Sequence, residues 1–177
     1  GRVSYNEGDL RKTRYFINAM YVGLGARFVW ISNGTRRFWG MQWLSYLSSM
    51  FLLLFERMLH RIDMKINGEH IQDTIMTVCI GSARGYGLTP SAVPYNGWLD
   101  VSVVYRPELL QLIKGLWLLV NGRLLNLKVV KPYRTHKVKI NRVQNAAISL
   151  DGRQLYYDES SLDVRILPEA LTLIIPK

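Results

Sequence analysis

Residues 81–105 read GSARGYGLTPSAVPYNGWLDVSVVY and combine closely spaced glycines, two prolines and an Asn-Gly pair. It follows residues 74–80, an apolar and β-branched run that is typical of a strand. Gly81, Gly85 and Gly87 let the backbone adopt positive φ angles and approach another chain or a ligand closely. The pattern therefore predicts a strand that ends in a glycine-rich turn.

The second half of the stretch predicts a return strand. Pro90 and Pro94 punctuate a loop, Asn96-Gly97 supplies a tight turn, and residues 98–105 alternate as a strand does. An ordinary β-hairpin with a long loop would explain this pattern without any function.

The order of these parts resembles the second domain of the lipid kinases that include bacterial diacylglycerol kinases and sphingosine kinases. In that family the corresponding stretch looks like GxGxxxxPxAxPxDGxLDV. The match here runs through Gly87, Pro90, Ala92, Pro94, Asn96, Gly97, Leu99, Asp100 and Val101. A second pattern similar to the family's, FxNxxxxG, occurs at Phe16, Asn18 and Gly23.

The periodicity predicts a mainly β (α+β) domain with two inserted helices. Strands are expected over residues 14–21, in a hairpin of residues 61–80 around Asn67-Gly68, and over 134–143, 146–150, 154–156, 163–167 and 170–175. Helices are expected over residues 35–60 and 108–120. The resemblance implies a β-sandwich-like domain, as in the carboxy-terminal domain of NAD kinase and diacylglycerol kinase-like proteins.

Residues 41–55 are the most apolar part of the first predicted helix. They number fewer than the roughly 20 apolar residues that a membrane-spanning helix needs. The stretch therefore favours a buried or partly membrane-facing helix.

Asp151 is the candidate catalytic residue. By itself, Asp151-Gly152 between two strands indicates a type I′ hairpin turn and needs no catalytic purpose. The resemblance aligns it with an aspartate-glycine-glutamate segment whose acidic residues are the proposed site of the general base. Arg153 replaces the glutamate, so the resemblance implies either an impaired enzyme or one that uses Asp151 alone.

The resemblance also implies cofactor sites. Gly85 and Gly87 are the predicted contacts to ATP in the cleft between two domains, and Asn96 takes the position of a magnesium-binding aspartate. An amide oxygen can bind Mg²⁺, although it lacks the charge of a carboxylate. The nucleotide-binding GGDGT-like segment of the family's first domain does not occur in this sequence. We therefore expect residues 1–177 to be one domain, the carboxy-terminal portion of a two-domain kinase, and inactive without the missing amino-terminal domain.

Composition restricts the partners. The 177 residues carry a formal net charge of +10, which favours anions such as phosphate groups, anionic lipid headgroups or nucleic acid. No recognised nucleic-acid motif accompanies the charge, so we expect no nucleic-acid partner.

The single cysteine, Cys79, excludes an intrachain disulfide and indicates a buried, inert thiol. The start of the sequence lacks the apolar segment of a signal peptide, so a cytoplasmic, membrane-peripheral location is expected.

The sequence is compatible with two functions. The first is the substrate-side domain of an ATP-dependent lipid kinase that transfers phosphate to a lipid hydroxyl. The alternative is a non-catalytic, basic, β-rich module that binds anionic lipid or a protein partner. The sequence is also compatible with a homodimer, because edge strands can pair between chains.

Overall fold

The computed structural model describes residues 1–27, 59–83, 88–94, 96–120, 123–157 and 161–170. Within these ranges, eleven strands form a single sheet in which every neighbouring pair is antiparallel. The strands are β1 Arg2–Glu7, β2 Leu10–Tyr15, β3 Ala19–Gly23, β4 His60–Ile66, β5 Glu69–Gly81, β6 Leu99–Tyr105, β7 Val130–Thr135, β8 Lys137–Val143, β9 Ile148–Leu150, β10 Arg153–Leu155 and β11 Leu162–Arg165.

Strand β5 joins two halves of the sheet because it has 13 residues, about twice the length of its neighbours. Its residues 69–75 pair with β4, whereas residues 75–81 pair with β6 and residues 77–81 pair with β3. The first half is β10-β9-β3-β5-β6-β7, and the second half is β5-β4-β8-β11-β1-β2. Buried residues of both halves form one core, so the sheet curls onto itself in a β-sandwich-like arrangement, as predicted.

Two tight turns confirm their sequence signals. Asn67 and Gly68 have φ angles of 51° and 83° between β4 and β5, and Asp151 and Gly152 have 46° and 86° between β9 and β10. A type I′ turn requires positive φ at both central residues, which Asn, Asp and Gly tolerate best. The local sequence therefore determines both hairpins.

The predicted second helix is confirmed as α1, Leu109–Val120. The backbone N–H of Glu108 donates to Oε1 of Gln111 at 3.0 Å, which satisfies a free donor at the helix start. Leu118 packs with Val104 of β6 and with Leu127, so α1 covers the outer face of the first half. A short 3₁₀ helix, Leu124–Asn126, follows. The predicted first helix, residues 35–60, lies outside the described residues except at its end, where His60 begins β4 instead.

The predicted strand over residues 134–143 is wrong because the chain contains two strands there. β7 pairs with β6 in the first half, whereas β8 pairs with β4 and β11 in the second. At the break, the Thr135 hydroxyl donates to the carbonyl of Lys137 at 2.9 Å, and the N–H of Ile166 donates to the carbonyl of His136 at 3.1 Å. The alternation of polar and apolar residues indicates which face of the sheet each side chain occupies, but it does not indicate which strand lies next to it.

Two further differences concern the amino-terminal part. The first 14 residues, for which the sequence pattern predicts no strand, form most of the β1–β2 hairpin. The predicted strand over residues 14–21 is interrupted, because β2 ends at Tyr15 and β3 begins at Ala19. The intervening connection, residues 16–18, contacts the candidate catalytic residue. The predicted strand over residues 170–175 lies outside the described residues, apart from Ala170, which is not in a strand.

Candidate functional site

Strand ends from distant parts of the sequence meet at one edge of the first half. Ala19 of β3 pairs with Gly81 of β5, and Gly81 pairs with Asp100 of β6. Asp151 follows the end of β9, and its backbone N–H donates to the carbonyl of Ala19 at 3.0 Å. We call Asn18, Ser82, Asp100 and Asp151 the site edge.

The carboxylate of Asp151 binds the connection between β2 and β3. Its Oδ2 accepts the backbone N–H of Ile17 at 2.6 Å, and its Oδ1 accepts those of Asn18 and Ala19 at 2.9 Å each. A carboxylate offers about four acceptor positions, so roughly one is left. Asp151 thus fastens two segments that lie more than 130 residues apart in sequence.

Ser82 attaches the beginning of the glycine-rich stretch to the same connection. Its N–H donates to the carbonyl of Asn18 at 2.9 Å, and its hydroxyl donates to the carbonyl of Ile17 at 2.7 Å. Gly81 must be small here, because a Cβ at this position would lie 2.5 Å from Oγ1 of Thr89. Gly85 and Gly87, the predicted ATP contacts, lie outside the described residues, and their role stays a prediction.

Asp100 lies on a strand that has a neighbour on each side. β6 lies between β5 and β7, and Asp100 is largely buried. Its two carboxylate oxygens accept hydrogen bonds from Nε and Nη2 of Arg134 at 2.7 Å and 3.2 Å, which makes the ion pair bidentate. These hydrogen bonds raise the pKa of Arg134. The pair neutralises a carboxylate at the site edge.

Asn96, the predicted metal ligand, lies in the loop that leads into β6. Its Oδ1 accepts the N–H of Trp98 at 2.9 Å, and the Trp98 ring contacts the His136 ring with centroids 3.6 Å apart. No group of three or more His, Cys, Asp or Glu side chains suited to a metal occurs among the described residues. Asn96 therefore stays a prediction that rests on one amide oxygen with a hydrogen bond already made.

Asp151 and Asp100 lie at different positions along the site edge. Asp151 follows β9, and β3 and β5 separate β9 from β6. Three strand spacings of about 4.8 Å put the two backbones about 14 Å apart. Backbone N–H groups therefore hold one carboxylate near the β9–β10 turn, and Arg134 holds the other on β6.

Cys79 is confirmed as a buried residue that takes no part in the site edge. It is fully buried within β5, and burial raises the pKa of its thiol to about 12. A thiol with that pKa is almost entirely protonated near neutral pH, and the thiolate is the nucleophilic form.

A separate cavity of about 650 Å³ borders the outer face of β9, and the sequence pattern gives no sign of it. It is lined by Arg27, His60, Ser149 and Gln154 among others. Nδ1 of His60 lies 3.3 Å from the carbonyl of Gln144, so Nδ1 carries the proton. His60 Nε2 and Ser149 Oγ are buried without a hydrogen-bond partner among the described residues.

The ionisation of His60 predicts a pH dependence of stability. Burial is the largest cause that lowers its pKa below 6.5 in the folded protein. As the pH falls below about 6.5, the unfolded chain binds a proton before the folded chain does, so the free energy of unfolding decreases. We expect this decrease between about pH 7 and pH 5 in denaturant titrations.

His60→Asn is the matched variant for this test, because the asparagine amide can still donate to Gln144 but does not titrate. The variant is expected to lose the part of the pH dependence that lies between about pH 7 and pH 5. An unchanged pH profile in His60→Asn would show that other groups cause the dependence.

Among the described residues, no helix has the length and apolarity needed to cross a membrane. The apolar stretch at residues 41–55 lies outside the described residues.

Comparison with known structures shows the fold. The chain is 13% identical to a diacylglycerol kinase from Bacillus anthracis str. Sterne, with a TM-score of 0.57 over 94% of this chain and 53% of that one. A second structure from the same strain, of a protein assigned as a diacylglycerol kinase, gives 15% identity and a TM-score of 0.58 over 94% and 54%. The chain thus spans about half the length of these structures, and identities this low establish the fold alone.

No protein of curated function matches this chain in sequence. The model of the YegS C-terminal NAD kinase beta sandwich-like domain matches residues 18–175. Because this match extends over most of the chain, the protein belongs to the family of YegS C-terminal, NAD kinase beta sandwich-like domains.

Proposed function

We propose that this chain is the substrate-side domain of an ATP-dependent lipid kinase that phosphorylates a lipid hydroxyl. One observation carries the proposal: the site edge joins the Phe16–Asn18 pattern, the start of the glycine-rich stretch, the Leu99-Asp100 strand and the Asp151-Gly152 turn. The family resemblance rests on residues in three of these segments (Phe16–Asn18, Leu99-Asp100 and Asp151-Gly152), and the fourth leads into the matched residues that begin at Gly87. The family match and the fold of the similar kinases support the proposal.

In this proposal Asp151 is the general base. A carboxylate at hydrogen-bond distance from a hydroxyl accepts its proton while the phosphoryl group is transferred. The three backbone N–H groups keep the carboxylate in one orientation, and about one acceptor position is left for the substrate hydroxyl. Arg153, at the start of β10, would contribute positive charge near the phosphates.

We assign ATP to a first domain that would complete the cleft, with Gly85 and Gly87 on the side of this chain. This chain spans only about half of the similar kinases, so the activity that we propose is that of the longer protein. Mg²⁺ usually binds through one or two carboxylates together with substrate phosphates and water. The described residues near Asn96 offer one amide oxygen, and Asp100 is engaged by Arg134, so they do not fit a complete metal site.

The second candidate is a non-catalytic module that binds anionic lipid at a membrane surface. The observation that favours it is the loss of acidic groups: Arg153 and Asn96 stand where the family has carboxylates, and Arg134 neutralises Asp100. Both candidates imply a lipid partner and a membrane-peripheral location.

The test is a phosphoryl-transfer assay on the full-length protein with ATP labelled in its γ-phosphate. The acceptors are diacylglycerol, sphingosine and further lipid alcohols, and Arg153→Glu is assayed beside the wild type. Labelled lipid from the wild type is the expected result. Product from Arg153→Glu alone would identify an inactivated enzyme on an intact scaffold. If neither folded protein binds ATP or forms product, the kinase proposal is wrong and the binding module remains.

A further inference from the structure

The outer face of the second half of the sheet is covered by basic side chains. In β8, Val138, Ile140 and Val143 enter the core, whereas Lys137, Lys139 and Arg142 are exposed on the opposite face. The cross-strand register extends this surface over β4, β11 and β1. We call it the basic face, and its residues are Arg2, Arg61, Lys65, Lys137, Lys139, Arg142 and Arg165.

Like charges lie directly opposite one another on this face. Lys65 of β4 pairs in register with Lys139 of β8, and Arg165 of β11 pairs with both Lys137 and Arg2. Like charges in directly opposed cross-strand positions destabilise a sheet. The opposition of Lys65 and Lys139 is therefore unfavourable unless an anion lies near it, whereas Asp163 lies between Arg165 and Lys137 and attracts both.

Two carboxylates on the same face relieve only part of this charge. Asp163 accepts Nε of Arg165 at 2.7 Å and lies 3.1 Å from Nζ of Lys137. Oδ1 of Asp63 accepts a hydrogen bond from Nδ2 of Asn141 at 2.6 Å and lies 2.9 Å from Nε2 of His70.

Of the seven cations of the basic face, Lys137 and Arg165 form ion pairs among the described residues, and Asp63 attracts Lys65 electrostatically. No carboxylate of the described residues lies within ion-pairing distance of Lys65, Lys139 or Arg142. The side chains of these three residues are exposed. An external anion can therefore reach them.

The two halves of the sheet differ on their outer faces. α1 packs over β6 in the first half through Leu118. The basic face lies on the opposite half, and six of its seven residues are exposed.

An aromatic side chain lies beside the basic face. Tyr15 of β2 is directly opposite Arg2 in the β1–β2 register and is 67% exposed. Tyrosine is one of the residues that concentrate at the headgroup level of membranes.

We propose that the basic face docks this domain on an anionic lipid membrane. The inference rests on the proposed function in one respect, because a lipid substrate places the protein at a membrane. The charge of the face complements the negative potential of a leaflet that contains anionic lipid, and Tyr15 supplies an aromatic group for the interface. Each basic residue near such a surface strengthens binding roughly fivefold.

The test measures sedimentation of the full-length protein with vesicles, without ATP. One set of vesicles contains phosphatidylcholine and phosphatidylserine, and the other contains phosphatidylcholine alone. The triple variant Lys65→Gln, Lys139→Gln, Arg142→Gln is expected to bind the anionic vesicles on the order of 100-fold more weakly. Its melting temperature is expected to stay the same or rise, because the repulsion between Lys65 and Lys139 is removed.

The matched control removes the same net charge elsewhere. Lys114, Arg123 and Lys128 are exposed on and beyond α1. Replacing all three by glutamine is expected to weaken vesicle binding only a few-fold.

Three results would overturn the proposal: equal losses in the two triple variants, equal binding to both kinds of vesicle, or tighter binding to a duplex oligonucleotide than to anionic vesicles. The last result would identify a nucleic-acid surface instead. Because the assay needs no ATP, vesicle binding by a protein that fails the kinase assay would support the docking face and leave only the kinase proposal rejected.

Discussion

Replacing Gly23 by alanine is expected to lower the free energy of unfolding by about 3 kcal/mol. Gly23 has a φ of 83°, a conformation that side-chain-bearing residues rarely adopt. A Cβ at this position would lie 2.7 Å from the carbonyl oxygen of Met76 and 2.9 Å from Cδ2 of His60. The Met76 oxygen belongs to the backbone of β5, so it cannot turn away as a flexible side chain would.

Gly8→Ala is the control for backbone strain alone. Gly8 also has a positive φ, 61°, but a Cβ there would meet nothing within 4 Å. We expect Gly8→Ala to lower the free energy of unfolding by about 1 kcal/mol when both variants are measured by guanidinium titration. Equal losses in the two variants would mean that the backbone at Gly23 moves to make room, and that close packing does not explain the glycine of the FxNxxxxG pattern.

The kinase proposal predicts that replacing Asp151 by asparagine reduces lipid phosphorylation by the full-length protein at least about 100-fold, the lower end of what a general base contributes. An amide does not accept the proton of the substrate hydroxyl near neutral pH. The same change removes one of two acceptor oxygens that face three backbone N–H groups. We therefore also expect a loss of about 2 kcal/mol in stability, which thermal unfolding measures.

Ser82→Ala separates chemistry from positioning in this test. It removes the 2.7 Å hydrogen bond to the carbonyl of Ile17 within the same connection but leaves the Asp151 carboxylate in place. We expect a loss of about 1 kcal/mol in stability and less than about tenfold in activity. Similar activity losses in both variants, with the same dependence of rate on pH, would show that Asp151 positions the connection and is not the base.

Local features of this chain are predictable from sequence because they depend on neighbouring residues. Asn67-Gly68 and Asp151-Gly152 tolerate the positive φ angles that tight hairpins need, and both turns form where predicted. The apolar period of residues 108–120 gives α1, because helical hydrogen bonds join residues four apart. The charge of +10 follows from composition alone.

The order of the glycine, proline and Leu-Asp-Val segments is also sufficient to identify the family, because motif order is a property of the amino-acid sequence itself. The family match over residues 18–175 confirms that identification. Asp151 as the base, Gly85 and Gly87 as ATP contacts and Asn96 as a metal ligand stay predictions.

What these elements contact depends on the tertiary structure. The alternation of residues 134–143 continues through His136, yet the chain moves there from β6 to new neighbours in the other half of the sheet. Asp151 has the sequence signature of a turn residue, but its carboxylate binds the backbone at residues 17–19, and the register of β3 against β9 brings the two together. Most of the strands, the turns and the family are thus specified by the amino-acid sequence alone, since they depend on local conformational preferences and motif order. The pairing of distant strands depends on burying one shared core, and that pairing builds the site edge and the basic face.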